Sequence, residues 1–319
     1  MYQRFFGIRE LPFELTPDPR YLFLTRQHRE ALSNLEYGLS SSKPITVLIG
    51  EAGTGKTTLL QAALESDRCR DVRCVYLNNP ALTRPEFVEM LAQRFGLSTR
   101  AHQSKATLLT ELEAVLAGRR SNGQTTALVV DEAQSMSLEL LEEIRLLANI
   151  ETRVDKLLPV VLAGQPELSD RLNEPALRQL KQRVSLRCEI VPFMLQETAA
   201  YIASRIRTAG GDAARLFTRD AVTLIHARSR GIPRTISVIC ENALMSAYGL
   251  GRQRVDSAIV TEVVRDFDLA AGKDACTDTP SEGAAESVVP SDRQPTLPDG
   301  AQADPAPRVS PRFSLLSQP

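Results

Sequence analysis

Residues 45–60, ITVLIGEAGTGKTTLL, constrain the fold of this chain more than any other stretch. A run of apolar residues ends at Gly50, and Gly50, Gly55, Lys56 and Thr57 then match the pattern G-x-x-x-x-G-K-[ST]. Glycines allow the backbone to turn its amides toward phosphate oxygens, and the helix that follows adds its positive N-terminal dipole. The stretch therefore predicts a strand, a phosphate-binding loop and a helix.

Four further apolar runs resemble the first and alternate with segments of helical spacing. With ITVLIG at 45–50, they are VRCVYLN (72–78), TALVVD (126–131), LLPVVLAG (157–164) and SLRCEIV (185–191). Near-continuous apolar runs are typical of strands that are buried on both faces of a parallel sheet. The predicted fold class is α/β, with a five-stranded parallel P-loop sheet flanked by helices.

The remaining segments complete the predicted domain organisation. After residue 192 the pattern is helical only, which predicts a small all-α domain at 192–270 behind the sheet domain at 43–191. Residues 271–319 contain eight of the 19 prolines and few apolar clusters, so we expect a disordered tail. Residues 1–42 form an N-terminal block that we expect to pack on the core of the protein.

Charge and composition exclude several classes of protein. The chain has 38 basic and 39 acidic residues, so no strong field favours nucleic acid or anionic lipid. No run of 18 apolar residues is present, and the first 20 residues lack the apolar stretch of a signal peptide. The five cysteines are scattered, which favours reduced packing residues. A cytoplasmic location is expected.

Two groups of residues are candidates for phosphate chemistry. Lys56 is expected to reach the β- and γ-phosphates, and Thr57 to bind Mg²⁺ through its hydroxyl. Asp131 and Glu132 end the third strand, where Asp131 would hold Mg²⁺ through water and Glu132 would orient the attacking water. The expected ligands are thus ATP and Mg²⁺. The predicted nucleotide-binding residues are Gly50, Glu51, Ala52, Gly53, Thr54, Gly55, Lys56, Thr57 and Thr58.

Strand order and several motifs resemble a known family. One strand separates the phosphate-loop strand from the Asp-Glu strand along the chain, and a helical domain follows the fifth strand, as in AAA+ ATPases. The segments FFGIRELPFELTPDPRYLFLTRQHREALSNLEYGL, VVDEAQ, LAGQPEL, LRQLKQRV and GIPRTI resemble the ATPase unit of the ExeA, or general secretion pathway protein A, family over residues 1–268. The resemblance implies ATP hydrolysis, a helical lid and subunits that complete each other's sites.

The same resemblance implies further roles, residue by residue. Gln165 is similar to the sensor 1 residue, although it could be a turn residue, and Arg234 is similar to sensor 2, although it could be a surface charge. Arg183 is similar to the arginine finger presented to a neighbour, with Arg178 as the rival candidate. Asn78 and Asn79 resemble the polar residue that restrains the catalytic glutamate, but NNP is also plain turn chemistry.

Aromatic residues and one histidine mark the N-terminal block. Phe5, Phe6, Phe13 and His28 are expected to pack this block against the core, with a wall of the adenine pocket as the alternative.

The biological role is left with two hypotheses. Proteins of the ExeA family continue into a membrane span and a peptidoglycan-binding domain, and neither is visible in this sequence. We expect a self-associating ATPase, as a dimer or ring, that drives or switches a secretion, pilus or polysaccharide-export system through a protein partner, peripherally at the inner membrane. The alternative is a helper ATPase of transposition or replication, for which the acidic, proline-rich C-terminal segment is a poor nucleic-acid-binding extension.

Overall fold

The computed structural model describes residues 2–15, 18–41, 43–78, 81–152 and 155–267. The predicted tail at 271–319 lies outside these residues, as do Asn79 and Cys276.

The predicted sheet is present, and its strands run parallel in the order β2-β3-β4-β1-β5. The strands are β1 Ile45–Gly50, β2 Val72–Leu77, β3 Thr125–Val130, β4 Val160–Gly164 and β5 Val184–Ile190. The strand β4 starts later than predicted: Leu157 and Leu158 are buried but precede Pro159, which has no N–H to donate to a ladder. The central strands β1, β3 and β4 are buried along their whole length.

Strand order brings three loops to one edge of the sheet. β4 lies between β1 and β3, with Val47 and Val130 both beside Leu162. Because the strands are parallel, their carboxyl ends meet at the same edge, where ligands of open α/β sheets bind. The loops after β1, β3 and β4 are therefore neighbours.

Helices cover both faces of this sheet. One face carries α4 to α8, whose apolar residues share a cluster with alternate residues of β1, β3 and β4. The other face carries α2 and α3, which pack on the intervening strand residues. These helices are α2 Arg26–Ser40, α3 Lys56–Leu64, α4 Arg84–Phe95, α5 Lys105–Ser121, α6 Leu138–Leu147, α7 Pro166–Leu172 and α8 Arg178–Lys181. Successive strand residues point to opposite faces, so each central strand contributes to both clusters.

The segment after β5 is helical, as the sequence predicts. Its helices are α9 Leu195–Thr208, α10 Ala213–Leu216, α11 Arg219–Ser229, α12 Pro233–Gly249 and α13 Ser257–Asp266. They enclose a hydrophobic cluster of their own.

The N-terminal block packs against both domains. Its first part, including α1 Gln3–Phe6, contributes Phe6 and Phe13 to the cluster of the helical domain rather than to the sheet domain. Its second part, Leu24 and α2, packs on the sheet. The aromatic side chains of this block extend the apolar cluster that the helices enclose.

Candidate active site

Three positions of the phosphate loop favour glycine, one because of close contacts and two because of their backbone conformation. A Cβ on Gly50 would lie 2.8 Å from both the Ile190 carbonyl oxygen and the Thr54 hydroxyl. Gly53 and Gly55 have φ values of 81° and 98°, in the left-handed region that side chains rarely adopt. Gly55 is the N-cap of α3, so the loop ends where the positive end of that helix begins.

Lys56 is held inside the loop. Its ammonium is buried and donates hydrogen bonds to the carbonyl oxygens of Gly50 at 2.9 Å and Glu51 at 3.1 Å. Burial lowers the pKa of Lys56, and the nearby carboxylates of Glu132 and Asp131 oppose that shift. The ammonium thus sits within the turn that phosphate oxygens would share, with carbonyl contacts that a phosphate can replace.

Thr57 and Asp131 form the second contact of the site. The Thr57 hydroxyl donates to Asp131 Oδ2 at 2.6 Å, which joins the first turn of α3 to the end of β3. Tyr76, on β2, donates its hydroxyl to the same oxygen at 2.9 Å. Tyr76 was missed by sequence reasoning, because only the pairing of β2 with β3 brings its position beside Asp131. A hydroxyl and a carboxylate side by side are hard oxygen donors of the type that Mg²⁺ prefers.

Glu132 is held by two glutamine side chains. Gln134 donates to Glu132 Oε2 at 2.6 Å, and Gln165 donates to the same oxygen at 3.2 Å. The hydrogen bond from Gln134 lowers the pKa of the Glu132 carboxyl, burial opposes this, and Gln165 adds to it. The backbone of Glu132 is left-handed, with φ 55°, which turns the chain directly after β3.

Gln165 is therefore close to the acidic pair, in the place that the family resemblance implies for it. Gln134, in contrast, was part of the VVDEAQ motif but had no assigned role. Its position two residues after Glu132 in the one-turn helix Ala133–Ser135 is the signal that could have identified it.

Arg234 connects the helical domain to the phosphate loop. Its backbone N–H donates to the Gly53 carbonyl oxygen at 3.2 Å, and a Cβ on Gly53 would lie 2.9 Å from the Arg234 Cβ. The Arg234 side chain is exposed and lines the same cavity as Lys56 and Glu132. The predicted placement of a lid arginine beside the phosphate loop fits this geometry.

The cavity between these groups has a volume of about 380 Å³. It is lined by the phosphate loop, by α9 and by a strap that we define as residues 11–15 and 18–23. Arg205 on α9 holds this strap: it donates to the carbonyl oxygens of Pro12 and Glu14 and lies over the Tyr21 ring, 4.8 Å from its centroid. No motif predicted Arg205.

His28 links α2 to the phosphate loop. Its Nε2 lies 3.2 Å from the Thr54 carbonyl oxygen, and its Nδ1 lies 2.8 Å from the Thr25 hydroxyl. Burial lowers the pKa of His28. Because a carbonyl oxygen can only accept, Nε2 donates to Thr54, and Nδ1 is the nitrogen that bonds the Thr25 hydroxyl. His28 supports the loop from below and also lines a smaller cavity beside it.

The arginine-finger candidates lie away from the cavity of their own chain. Arg183 immediately precedes β5, whose first residue Val184 pairs with Ile45 at the amino end of β1. The length of β1, at roughly 3.3 Å per residue, therefore separates Arg183 from the phosphate loop by about 17 Å or more. Arg178 is exposed on α8, and Asn78 is exposed after β2. Neither arginine lines the cavity, whereas Asn78 follows Leu77, which pairs with Val130 at the edge of the sheet where Asp131 and Glu132 lie.

Within the described residues, there is no group of three or more His, Cys, Asp or Glu side chains that could hold a metal ion. In the same part of the chain, no helix is both long and apolar enough to cross a membrane.

Comparison with known proteins agrees with this geometry. A family model described as an AAA domain matches residues 39–172. General secretion pathway protein A of Aeromonas hydrophila is 38% identical over 255 residues, which are 80% of this chain and 46% of that protein. Residues 39–172 are thus similar to AAA domains, and most of the chain is similar to general secretion pathway protein A. The chain spans about half the length of that relative.

Solved structures share the fold at low sequence identity. ORC of Drosophila bound to DNA is 20% identical, with a TM-score of 0.61 over 81% of this chain and 64% of that one. CDC6P from Pyrobaculum aerophilum is 18% identical, with a TM-score of 0.60 over 80% and 70%. ORC2 of Aeropyrum pernix, in ADPNP-ADP complexes, is 19% identical, with a TM-score of 0.58 over 80% and 71%. The chain therefore has the fold of a P-loop NTPase.

Proposed function

We propose that this protein binds ATP with Mg²⁺ and hydrolyses it to drive or switch a secretion or cell-surface assembly system. The observation that carries the proposal is the convergence at one sheet edge of a buried Lys56, the Thr57–Asp131 pair and Glu132 held by Gln165. These side chains come from three loops and match the needs of phosphoryl transfer in charge and position.

The residues fit the groups that the family implies. Glycines at 50 and 53 leave space that a Cβ would fill, and the backbone of residues 50–58 would cradle the phosphates. Thr57 and Asp131 would hold Mg²⁺. In nucleotide-binding proteins, phosphate oxygens and water usually complete the coordination shell of this ion. When bound, Mg²⁺ would neutralise charge on the transferred phosphate.

The chain's own residues would then divide the remaining work. Lys56 would exchange its two carbonyl contacts for phosphate oxygens, and Arg234 would reach the same phosphates from α12. Glu132 would accept a proton from the attacking water, and Gln165 would fix one of its oxygens. Arg183 would act on the site of a neighbouring chain, which implies a dimer or a ring.

Support for the secretion role comes from the relative. The 38% identity extends over 255 residues, 80% of this chain, rather than over the phosphate loop alone. Deleting the gene should stop export or surface assembly in the host, and the Glu132→Gln variant should fail to restore it. Normal export in the deletion strain would argue against this role.

Lys56→Ala and Glu132→Gln test the site itself. Lys56→Ala should lose nucleotide binding, because the ammonium that holds the phosphates is gone, whereas Glu132→Gln should keep ATP bound and stop hydrolysis. Equilibrium binding and steady-state turnover separate the two, with the exposed Glu65→Gln as a matched control. Equal loss of binding in both variants would contradict the role of Glu132 as the group that activates water.

A further inference from the structure

We propose that Gln134 is a positioning residue that fixes the Glu132 carboxylate for attack. The inference rests on the proposed hydrolytic function and goes beyond it, since it assigns a role to a residue outside the phosphate loop and the acidic pair. Gln134 stands between the two loops that meet at the site, with one amide atom bonded to each.

The orientation of the Gln134 amide is set by its partners. Its Oε1 lies 3.1 Å from the backbone nitrogen of Gln165, and only an oxygen can accept that N–H. The amide nitrogen must then face Glu132 Oε2, at 2.6 Å, where it donates to a carboxylate. Hydrogen bonds with an ionised acceptor are among the stronger ones in proteins, so this contact restrains Glu132 more than an ordinary amide pair would.

The surroundings of Gln134 hold it in this place. A Cβ on Gly164 would lie 2.8 Å from Gln134 Oε1, so the glycine that ends β4 makes space for the amide. Arg171, on α7, donates to the carbonyl oxygens of Gln134 and Met136 and fixes the backbone on the other side. Both the side chain and the main chain of Gln134 are therefore bonded to the segment that follows β4.

This arrangement decides which carboxylate oxygen faces a water molecule. Glu132 Oε2 accepts from both Gln134 and Gln165, so the rotamer is fixed through Oε2 and Oε1 is the atom with capacity for the water. Gln165 alone, at 3.2 Å, gives one contact and leaves the carboxylate able to turn about it. Misplacing a reacting group by about 1 Å can cost on the order of 100-fold in rate.

Three variants test the role. Gln134→Ala should lower kcat by roughly 10- to 100-fold and leave KM for ATP within about twofold, because Glu132 acts in the chemical step rather than in binding. Gln134→Glu keeps an acceptor for Gln165 but places a second carboxylate against Glu132, so it should lose at least as much. Gln124→Ala, an exposed glutamine at the opposite end of β3, is the matched control and should behave as wild type.

A double-mutant cycle separates positioning from a structural role. If Gln134 acts through Glu132, Gln134→Ala should add no further loss to the residual turnover of Glu132→Ala. Multiplicative losses, or an unchanged kcat in a folded Gln134→Ala or Gln134→Glu variant, would overturn the assignment while wild-type turnover still upheld the proposed function. Absence of Mg-dependent turnover in the wild type would overturn both. Thermal unfolding of each variant identifies those that fold.

Discussion

Two parts of the cavity lining are built in different ways. The phosphate part is made by residues of the phosphate loop, which are close in sequence, and by Glu132, which the sheet brings to the same edge. The strap part is made by the strap and by α9, where Arg205 contacts Pro12 across 193 positions of sequence. Local sequence and strand order therefore determine the phosphate part, whereas the strap part depends on a packing contact between distant segments. A chemical motif can be recognised in the first case but not in the second.

The largest expected effect is a loss of turnover, and it tests whether one chain supplies every residue that hydrolysis needs. Arg183 lies at the amino edge of the sheet, so any part that it plays in hydrolysis would be at the site of a neighbouring chain. Arg183→Ala should reduce turnover on the order of 1,000-fold and leave ATP affinity nearly unchanged, because an arginine finger stabilises charge in the transition state. Steady-state turnover and equilibrium binding, measured over a range of protein concentrations, check both parts.

Mixing variants sharpens the same test. Arg183→Ala and Glu132→Gln should each be inactive alone, but a mixed interface can pair an intact Glu132 with an intact Arg183, so activity should partly return. Arg178→Ala in place of Arg183→Ala decides between the two candidates. A co-assembled mixture that stays inactive, or wild-type activity that is independent of concentration down to monomer, would show that the site is not shared.

A smaller effect, on nucleotide affinity, is expected at the strap part of the cavity lining. Arg205→Ala removes two hydrogen bonds to the strap and the contact with the Tyr21 ring. We expect nucleotide affinity to fall about tenfold, equivalent to ~1.4 kcal/mol, since the strap that walls the cavity is held less firmly. Turnover at saturating ATP should change less than threefold. Titration with ATP and ADP measures the affinity, and Arg207→Ala, exposed on the same helix, is the control.

Equal affinities for Arg205→Ala and Arg207→Ala would contradict the assigned role of the strap. A large loss of kcat in Arg205→Ala would instead show that the strap also affects the chemical step. Either result would remove the contrast between a phosphate part that acts in catalysis and a strap part that acts only in binding.

The smallest effect is a pH-dependent change in stability, and it concerns the contact between the N-terminal block and α12. Burial raises the pKa of the Glu241 carboxyl, which accepts a hydrogen bond from the Tyr2 hydroxyl at 2.7 Å. The Tyr2 bond and Arg205 oppose this shift, whereas Glu14 adds to it. The folded protein therefore holds this proton more tightly than the unfolded chain, so the contribution to stability is present at low pH and is lost as pH rises through the folded pKa.

Glu241→Gln keeps an acceptor for Tyr2 and removes the ionisation. Its unfolding midpoint should exceed that of wild type at pH 8, and the difference should shrink toward pH 4, where the wild-type carboxyl is protonated. Thermal melts at both pH values, with the exposed Glu262→Gln as control, measure this. A difference that is the same at both pH values would contradict the role of ionisation.

Sequence reasoning succeeded where residues and neighbours are linked by a simple rule. The strand pattern predicted the sheet, and the position of Asp131 at the end of β3 predicted its approach to the phosphate loop, which the bond to Thr57 confirms. It failed where a contact depends on side-chain packing. Tyr76 has the period of a buried strand residue, so nothing marked it as a partner of Asp131. Likewise, the apolar character of Phe6 and Phe13 predicts burial but does not identify the cluster in which they are buried.

The hydrogen bond between Tyr2 and Glu241 closes a loop of 239 positions. Most helical bundles fold fast because their contacts are local, but closing a long loop costs entropy before the contact stabilises anything. The helices after β5 can form early from local contacts, yet their core is finished only when Tyr2, Phe6 and Phe13 arrive from the other end of the described chain. We therefore expect the helical domain to mature late, with kinetics closer to those of a non-local β fold than its helix content suggests.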